Sequence, residues 1–320
     1  MDPNPDDDLL RAAQAGDRSA MTALGLCWLG GEGGVLRPME GADWVQAAAE
    51  RGDPVACERL AVLHGAGACR AQSWEQALHW LQRAADLGLA SAQAQLALIA
   101  RGPAGDQPGF DIRAWLALPP RQVLCDAPRV RAFAGFVAPA VCDWLVACAR
   151  DRLDRARTYD VHSGSGVVAE SRTNRETDFN IVQADIVLTL LRARIGAATG
   201  LPPAAMELSK VLHYAVGQQF APHFDYLDAG APGLAAEIQR QGQRLATFLI
   251  YLNDDFDGGE TEFHSIGLRH RGRRGDALMF ANVDLAGQPD RRTLHSGRAP
   301  TRGEKWLFSQ WIRDRVPAAA

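Results

Sequence analysis

Alanine and leucine recur at helical spacing through the first hundred residues of the chain, in segments that repeat. The segments AAQAGDRSAMTAL, AAERGDPVACERL and AADLGLASAQAQL align so that Gly16, Gly52 and Gly88 are 36 residues apart. In each segment, Ala and Leu four residues apart lie beside the glycine, which predicts two short helices joined at a helix-ending glycine. Because one such pair cannot bury its apolar face alone, we expect neighbouring pairs to stack.

After residue 130 the pattern of apolar residues changes. The segment RVRAFAGFVAPAVCDWLVACARDRL predicts a short strand and then a helix that begins near Pro139, and ADIVLTLLRARIGAATG predicts a helix that ends at Gly200. Five short runs with a strand-like pattern follow, separated by turn signals: KVLHYAV, RLATFLIYL, TEFHSIG, DALMFAN and KWLFSQWI. Short strands at such spacing predict a small barrel or a two-sheet jelly roll.

Proline and glycine become frequent between the two halves, in RGPAGDQPGF and LPPRQVLCDAP, and the helical periodicity ends there. This composition predicts a linker over residues 104–126, between a helical repeat domain at 5–103 and a second domain at 127–317. A chain of 320 residues is long enough for two hydrophobic cores. The predicted fold class is therefore α+β and multidomain.

The composition is that of a soluble globular protein, with 47% apolar and 22% charged residues. The N-terminal MDPNPDDD is acidic, unlike a signal peptide, and no apolar run approaches the length of a membrane span. We therefore expect a cytoplasmic protein that does not bind membranes. The net charge of -4 argues against nucleic acid as a partner. The six cysteines lack CxxC spacing, which fits a reducing compartment and disfavours a zinc site built on cysteine.

His223 and Asp225 stand two positions apart in APHFDYLDAG, among apolar and aromatic residues. Side chains at i and i+2 of a strand point to the same face, so a strand here would bring both together while Phe224 faces the other way. An imidazole and a carboxylate side by side supply two ligands of a metal site. A third protein ligand is needed, and His295, in RRTLHSGRAP about 70 residues further along, is the best candidate.

Two histidines and one carboxylate on one face of an octahedron leave three open positions, the arrangement that non-haem Fe(II) oxygenases use. Zinc instead favours a closed tetrahedron, or three ligands plus water. Of the 34 basic residues only Lys210 and Lys305 are lysines, and Lys305 follows His295 by ten residues. It would supply a compact cation for the distal carboxylate of an iron-chelating 2-oxo acid. The alternative is that it is one of two lysines retained by chance.

Four segments together resemble the Fe(II)/2-oxoglutarate dioxygenases of the prolyl 4-hydroxylase type: HYAVGQQFAPHFDY, LATFLIYLNDDFDGGETEF, GDALMFAN and TLHSGRAPTRGEKWLFSQWIR. The resemblance runs from about residue 130 to 315 and implies a double-stranded β-helix, or jelly roll. The Fe(II) ligands that it implies are His223, Asp225 and His295. Lys305 would then bind the distal carboxylate of 2-oxoglutarate.

The resemblance also assigns residues beyond the metal ligands. Tyr214 stands at the tyrosine of the family's LxxYxxG stretch, which implies a contact with 2-oxoglutarate, and Thr247 is implied to assist there. Arg172 and Thr173 match the RT of the family's RTS-type strand, which implies a substrate contact for Arg172. Asn174 stands where the family has serine.

The first half carries a second resemblance. The segment LGLCWLGGEGGVLRPMEGADWVQAAAERGD is similar to the Sel1-like branch of the tetratricopeptide family, over about residues 5 to 101. This resemblance implies a module that binds a protein partner. The alternative is that three imperfect repeats only support the next domain, because three units offer little concave surface.

The activity implied by the resemblances is hydroxylation of a prolyl residue in a protein or peptide. The cofactor and co-substrates would be Fe(II), 2-oxoglutarate and O2, with succinate and CO2 as co-products and ascorbate as a further ligand. Two alternatives stay open: the enzyme hydroxylates another residue or a free amino acid, or the chain is a non-catalytic adaptor that binds a partner through its repeats. The presence of all three metal ligands and Lys305 favours an enzyme.

Overall fold

The fold is that of a computed structural model, which describes residues 5–32, 36–103, 105, 109–160, 165–167, 169–231 and 233–316. The chain forms two compact units. The first comprises Met1–Gly102, Asp106–Leu116 and Phe179–Ala193. The second comprises Pro103–Gly105, Ala117–Asp178 and Arg194–Ala320.

The first unit is helical. Its helices are α1 (Pro5–Gln14), α2 (Arg18–Gly30), α3 (Pro38–Glu50), α4 (Pro54–Ala66), α5 (Trp74–Asp86), α6 (Ala90–Ile99) and α7 (Ile112–Leu116). From α1 to α6, each helix contacts the next. The six helices form three consecutive pairs that stack, as the 36-residue repeat predicts.

The repeated glycines lie between the two helices of a pair. Gly16, Gly52 and Gly88 have φ angles of 96°, 80° and 90°, a left-handed backbone that glycine adopts without strain. The residue after each glycine is the N-cap of the following helix. The carboxylates of Asp17 and Asp53 cap α2 and α4 by accepting hydrogen bonds from backbone N–H groups three residues on. The Gly-Asp steps of the sequence therefore end one helix and start the next.

Helices α2 and α3 approach each other closely at Gly25 and Gly41. A Cβ atom on Gly41 would lie 2.8 Å from the carbonyl oxygen of Gly25 and 2.9 Å from the backbone nitrogen of Leu29. A Cβ atom on Gly25 would lie 2.8 Å from the carbonyl oxygen of Gly41. Because these neighbours are backbone atoms, the absence of a side chain at both positions sets the distance between the helices.

A segment distant in sequence, residues 179–193, also belongs to the first unit. The buried guanidinium of Arg59, in α4, donates hydrogen bonds to two backbone carbonyls of this segment, at 2.8 and 2.6 Å. The side-chain oxygen of Gln95, in α6, accepts one from the backbone nitrogen of Ile186 at 2.9 Å. Polar side chains of the repeats therefore hold a segment that the repeat pattern does not predict.

The second unit combines strands with helices α8 (Pro139–Arg150) and α10 (Leu234–Gln241) and with 3-10 helices at Pro203–Ala205 and Arg291–Thr293. Helix α9 (Ile186–Thr199) contributes its residues 194–199 to this unit. The strands are β1 (Arg121–Cys125), β2 (Val130–Phe133), β3 (Asp154–Arg155), β4 (Thr158–Asp160), β5 (Ser165–Val167), β6 (Arg175–Phe179), β7 (Ser209–Tyr214), β8 (Phe220–His223), β9 (Arg244–Tyr251), β10 (Asp257–Gly258), β11 (Thr261–Phe263), β12 (Leu268–His270), β13 (Ala277–Ala281), β14 (His295–Gly297), β15 (Pro300–Arg302) and β16 (Lys305–Arg313).

Two sheets dominate the second unit. One has eight strands in the order β1-β2-β13-β9-β16-β7-β6-β3, and the other has four in the order β12-β11-β14-β8. Strands β10 and β15 form a separate pair, as do β4 and β5. The pairings whose register is described are antiparallel. This is the two-sheet jelly roll, one of the two architectures that the strand pattern allowed.

Buried apolar side chains connect the two large sheets. The ring of Phe263, in β11, meets the ring of Phe280, in β13, edge to face with centroids 5.0 Å apart. Leu249 of β9 and Leu307 of β16 belong to the same buried cluster. Burying each such side chain contributes on the order of 1.5–3 kcal/mol, so this core fixes the two sheets against each other.

Two segments differ from their predicted form. TEFHSIG was predicted to be a strand throughout, but β11 covers only Thr261–Phe263, because a turn that ends at Gly267, with φ of 62°, leads into β12. The range 104–126, predicted to be a linker, contains α7 and β1. The predicted domain boundaries themselves stay a prediction.

None of the described helices is long and apolar enough to cross a lipid bilayer.

Replacing Gly41 with alanine is expected to destabilise the first unit. Inside a helix this change ordinarily stabilises by about 0.5–1 kcal/mol, but at Gly41 the new methyl group would press on backbone atoms of α2. We expect the free energy of unfolding of the full chain, measured by urea denaturation, to fall by about 1–3 kcal/mol. Ala47→Gly, in the same helix, serves as the control for ordinary helix propensity. A Gly41→Ala chain more stable than the wild type would contradict the close approach.

Candidate active site

The three predicted metal ligands, His223, Asp225 and His295, come together in the second unit. His223 is the last residue of β8 and pairs with His295, the first residue of β14. Asp225 lies in a bend two residues beyond the end of β8. One potential ligand atom of each side chain lies within 4.8 Å of the other two. Residues far apart in the chain thus form one compact donor set.

Backbone carbonyls orient both imidazole rings. Nδ1 of His223 lies 2.9 Å from the carbonyl oxygen of Ala221, and Nδ1 of His295 lies 2.9 Å from that of Thr293. A carbonyl oxygen only accepts, so Nδ1 donates in both rings, and in the neutral form of each ring Nε2 holds the lone pair. Nε2 of His223 is 3.5 Å from one carboxylate oxygen of Asp225, and Nε2 of His295 is 3.6 Å from the other. Both rings therefore present a metal-binding nitrogen towards Asp225.

The surroundings keep His295 and Asp225 in the protonation states that bind metal ions. Burial, together with the neighbouring His223, lowers the pKa of His295 to about 4, against the opposing effect of Asp225. Burial alone would raise the pKa of Asp225, but His295, His223 and a hydrogen bond from Thr247 outweigh it and hold that pKa well below its usual range. Near neutral pH the site therefore offers a neutral imidazole at His295 and an ionised carboxylate.

The carboxylate of Asp225 is also held from behind. Thr247, in β9, donates its hydroxyl proton to Asp225 Oδ2 at 2.6 Å. The side-chain amide of Asn282, just after β13, donates to Thr247 Oγ1 at 3.0 Å. Thr247 is 1% exposed and Asn282 is fully buried. The predicted contact of Thr247 with 2-oxoglutarate stays a prediction, since its hydroxyl proton is given to Asp225.

Lys305 is a buried cation for which the described residues offer no hydrogen-bond acceptor. It begins β16 opposite Tyr214 of β7 and is fully buried. Its Nζ lies 5.1 Å from the ring centre of Tyr214 and 5.8 Å from that of Tyr251. Burying an ammonium group is costly unless acceptors or an anion compensate it. The environment of Lys305 therefore fits an anionic ligand.

Lys305 and the three metal-ligand candidates line one pocket within the second unit. Its wall consists of Arg172, Lys210, Leu212, Tyr214, Phe220, His223, Asp225, Thr247, Leu249, Thr261, His295, Gly297, Lys305, Leu307, Ser309 and Trp311. A small molecule in this pocket would meet metal-ligating groups, a buried cation and aliphatic side chains. Tyr214 also lines the pocket, and its predicted contact with 2-oxoglutarate stays a prediction.

Arg172, the predicted substrate contact, lines the pocket but is engaged within the protein. Its guanidinium donates to Glu176, to Asn174 Oδ1 and to a backbone carbonyl. It also lies 4.6 Å from the ring centre of Phe220. Phe220 in turn stacks on His223 with ring centroids 3.5 Å apart. Arg172 thus supports a metal-ligand ring through Phe220, and its role as a substrate contact stays a prediction.

The prediction that a single strand carries both His223 and Asp225 is wrong for Asp225. In the antiparallel register, residues beyond His223 would have to pair with residues before His295. Those residues form the 3-10 helix Arg291–Thr293, so no strand is available and β8 ends at His223. The two side chains still converge, because the hydrogen bond from Thr247 directs the carboxylate of Asp225.

Sequence reasoning did not name Phe220, Thr261 or Asn282 as site residues. Asn282 stood inside the segment GDALMFAN, but its function depends on a contact with Thr247 that the pairing of β13 with β9 creates. Phe220 precedes His223 by three residues, and the stacking of its ring on the imidazole is visible only in the folded chain. Spacing along the chain carries no signal for either contact.

The donor set fits a ferrous ion. Two imidazoles and one carboxylate leave coordination positions open for a chelating co-substrate and O2. A closed zinc site needs a fourth protein ligand. Among the described residues, the only group of three or more histidine, cysteine or acidic side chains that could hold a metal ion is His223, Asp225 and His295. Lys305 adds the positive charge that a chelating 2-oxo acid with a second carboxylate requires.

Comparisons with known proteins agree with this chemistry. Residues 209–313 match the family model described as the 2OG-Fe(II) oxygenase superfamily. The chain is 33% identical over 215 residues to prolyl 4-hydroxylase 1 from Arabidopsis thaliana, which covers 61% of this chain and 72% of that relative.

Solved structures resemble each half of the chain. The viral collagen prolyl hydroxylase of Paramecium Bursaria Chlorella virus-1, in complex with 2OG, aligns with a TM-score of 0.44 and 24% identity over 59% of this chain and 98% of that one. A Sel1 repeat protein from Oxalobacter formigenes aligns with a TM-score of 0.29 and 31% identity over 31% of this chain and 76% of that one.

The affinity for 2-oxoglutarate is expected to fall as the pH rises above about 8. Burial lowers the pKa of Lys305 to about 8, with Glu260 acting in the opposite direction. The facing Tyr214 stays neutral, because burial raises its pKa to about 12, and burial likewise raises the pKa of Tyr251. A bound carboxylate favours the ammonium form, so binding takes up a proton above this pH and the Kd rises by up to about tenfold per pH unit.

Calorimetric titration of the Mn(II)-loaded protein with 2-oxoglutarate, from about pH 7 to 9.5, measures this dependence. The matched control is Lys305→Arg, whose guanidinium stays charged throughout this range, so that its Kd is expected to change little with pH. A wild-type Kd that is equally constant would contradict the assignment of Lys305 to the carboxylate.

Proposed function

Since the chain belongs to the prolyl 4-hydroxylase family of 2OG-Fe(II) oxygenases, we propose that it hydroxylates a prolyl residue in a protein or peptide. The proposal rests on one observation: a His–Asp–His donor set shares a pocket with a buried lysine for which the described residues offer no hydrogen-bond acceptor. A non-catalytic adaptor would have no reason to retain, beside three converging metal ligands, a buried cation without a hydrogen-bond acceptor among the described residues.

The reaction requires Fe(II), 2-oxoglutarate and O2. When bound, the ferrous ion supplies the oxidising chemistry, in which 2-oxoglutarate is decarboxylated to succinate and CO2 and one oxygen atom of O2 enters a substrate C–H bond. The protein residues hold the metal ion, bind the co-substrate and limit the access of water. His223, Asp225 and His295 hold the metal, with both histidines fixed in the tautomer that exposes Nε2.

Lys305 binds the distal carboxylate of 2-oxoglutarate. Because the ammonium group is already buried, the bound carboxylate supplies the hydrogen-bond acceptor that Lys305 does not find among the described residues. Tyr214 lies beside Lys305 and closes the same part of the pocket. Leu249 and Leu307 add apolar wall, which limits the access of water to the reacting atoms.

A prolyl substrate is supported by the relatives rather than by the metal ligands, which do not read the substrate. The relative from Arabidopsis thaliana carries the name prolyl 4-hydroxylase and aligns over most of its length. Hydroxylation of another residue, or of a free amino acid, would use the same metal site. The substrate has to be identified by experiment.

Incubation of the full chain with Fe(II), 2-oxoglutarate, ascorbate and proline-containing peptides is expected to add one oxygen atom to proline, with an equal amount of succinate formed. Matched peptides with alanine in place of proline, free proline, and the His223→Ala chain are the controls. Mass spectrometry with fragmentation locates the oxygen. Oxygen found only on other residues, or only on free proline, would overturn the prolyl assignment while leaving the oxygenase intact.

We also propose that the helical repeats bind a protein partner, including a protein substrate. Support comes from Trp44 and Trp80, which are 36 residues apart and occupy equivalent, half-buried positions on α3 and α5. The Trp44→Ala/Trp80→Ala chain is expected to hydroxylate a short peptide at the wild-type rate but to add less oxygen to the proteins of a cell lysate. Equal oxygen incorporation by both chains would contradict this proposal.

A cytoplasmic location and ascorbate binding stay predictions.

A further inference from the structure

Three buried polar side chains form a hydrogen-bonded row that ends at the metal site. Asn282 Nδ2 lies 3.0 Å from Thr247 Oγ1, which lies 2.6 Å from Asp225 Oδ2. Asp225 is 4% exposed, Thr247 1% and Asn282 0%. Among the described residues no group donates to the remaining side-chain oxygen of Asn282. Burying an amide whose oxygen has no partner is unfavourable. The hydrogen bond from Asn282 Nδ2 to Thr247 Oγ1 therefore has to offset this cost and hold the amide in place.

The direction of each hydrogen bond in this row follows from the charge of Asp225. An ionised carboxylate only accepts, so the single hydroxyl proton of Thr247 is donated to it. The hydroxyl oxygen can then only accept from Asn282, which places the amide nitrogen towards Thr247. If the amide were turned round, its oxygen would compete with Asp225 for the proton of Thr247.

The backbone of Asn282 fixes the start of the row. Its N–H donates to the carbonyl oxygen of Leu245 at 2.8 Å, and its own carbonyl oxygen accepts from Asp290 at 3.0 Å. Residues Phe280 and Thr247 pair directly across β13 and β9. Asn282 is therefore tied to the same sheet as Thr247, and its amide has a fixed position relative to the hydroxyl group.

The end of the row lacks such support. Asp225 lies beyond the last pair of β8, so no ladder of backbone hydrogen bonds sets the direction of its side chain. The histidines, by contrast, are the paired residues of β8 and β14. Of the three metal-ligand candidates, Asp225 depends most on a side-chain partner for its orientation.

We propose that Asn282 is a positioning residue of the metal site: it fixes the hydroxyl group of Thr247 so that its proton is given to Asp225, which keeps the carboxylate turned towards His223 and His295. The proposal rests on the proposed function, in that the donor set binds a metal ion. It assigns Thr247 to the positioning of a metal ligand, with Asn282 behind it, rather than to a contact with 2-oxoglutarate.

Binding of Co(II) to the metal-free full chain tests the proposal without any turnover. Partners that orient metal ligands typically change metal affinity by about 10- to 100-fold when they are removed. We expect Asn282→Leu and Thr247→Val each to raise the Kd for Co(II) by about tenfold or more. Thr247→Ser, which keeps the hydroxyl group, is expected to stay close to the wild type.

The double variant separates a relay from two independent effects. If Asn282 acts through Thr247, the chain with both Thr247→Val and Asn282→Leu binds Co(II) no more weakly than the chain with Thr247→Val alone. Fully additive losses of affinity would overturn the relay, and so would an Asn282→Leu chain with the wild-type Kd.

A control distinguishes positioning from stability. Ser209→Ala removes a buried hydroxyl group that donates to Gln310 at 2.6 Å, in the same sheet but outside the pocket. It is expected to lower the melting temperature of the metal-free chain without changing the Kd for Co(II). An equal rise of the Kd in Ser209→Ala would show that Asn282→Leu acts by loosening the sheet, which overturns the proposal.

If Asn282→Leu does not fold, Asn282→Asp takes its place, because it keeps the shape of the side chain but replaces the amide donor with an acceptor. A weaker affinity for Co(II) supports the relay, and an unchanged affinity overturns it. Failure of the wild-type chain to bind Co(II) would contradict the metal site itself and the proposed function with it. Normal binding by every variant would overturn only the positioning of Asp225 by Asn282.

Discussion

The antiparallel pairing of His223 with His295 across β8 and β14 is the constraint on which the site depends. It sets two imidazole rings, 72 positions apart in the chain, at a centroid distance of 4.3 Å. Each ring is turned by its own backbone so that Nε2 faces Asp225. A shift of this register by one residue would send one ring to the other face of the sheet and remove the donor set.

A second constraint is electrostatic. The pocket buries a carboxylate and an ammonium group without joining them, since Asp225 is held by Thr247 and the histidines while Lys305 lies among aromatic rings. For Lys305, which has no hydrogen-bond acceptor among the described residues, this burial is unfavourable in the protein alone. It becomes favourable when a metal ion and a dianionic co-substrate enter, because the metal satisfies one end of the pocket and a carboxylate satisfies the other.

The sequence predicted those parts of the molecule that depend on local patterns. The Gly-Asp steps of the repeats and the strands on either side of His223 follow from propensity and spacing, and the ligand set followed from HxD, a later histidine and a lysine ten residues on. Contacts between distant segments that no sequence motif marks were out of reach. Arg59 holds residues 179–193, and Asn282 supports Thr247, through distances that only the assembled fold defines. The end of β8 before Asp225 likewise depends on the partner strand.

The proposed function requires the donor set and Lys305 to bind Fe(II) and 2-oxoglutarate together in one pocket. Its most direct test is the visible absorption of the full chain after anaerobic addition of both. We expect a weak charge-transfer band, typical of a 2-oxo acid chelated to Fe(II), that appears only when both are present and is lost in the His223→Ala chain. A wild-type chain that shows no band at saturating Fe(II) and 2-oxoglutarate would rule out this joint binding.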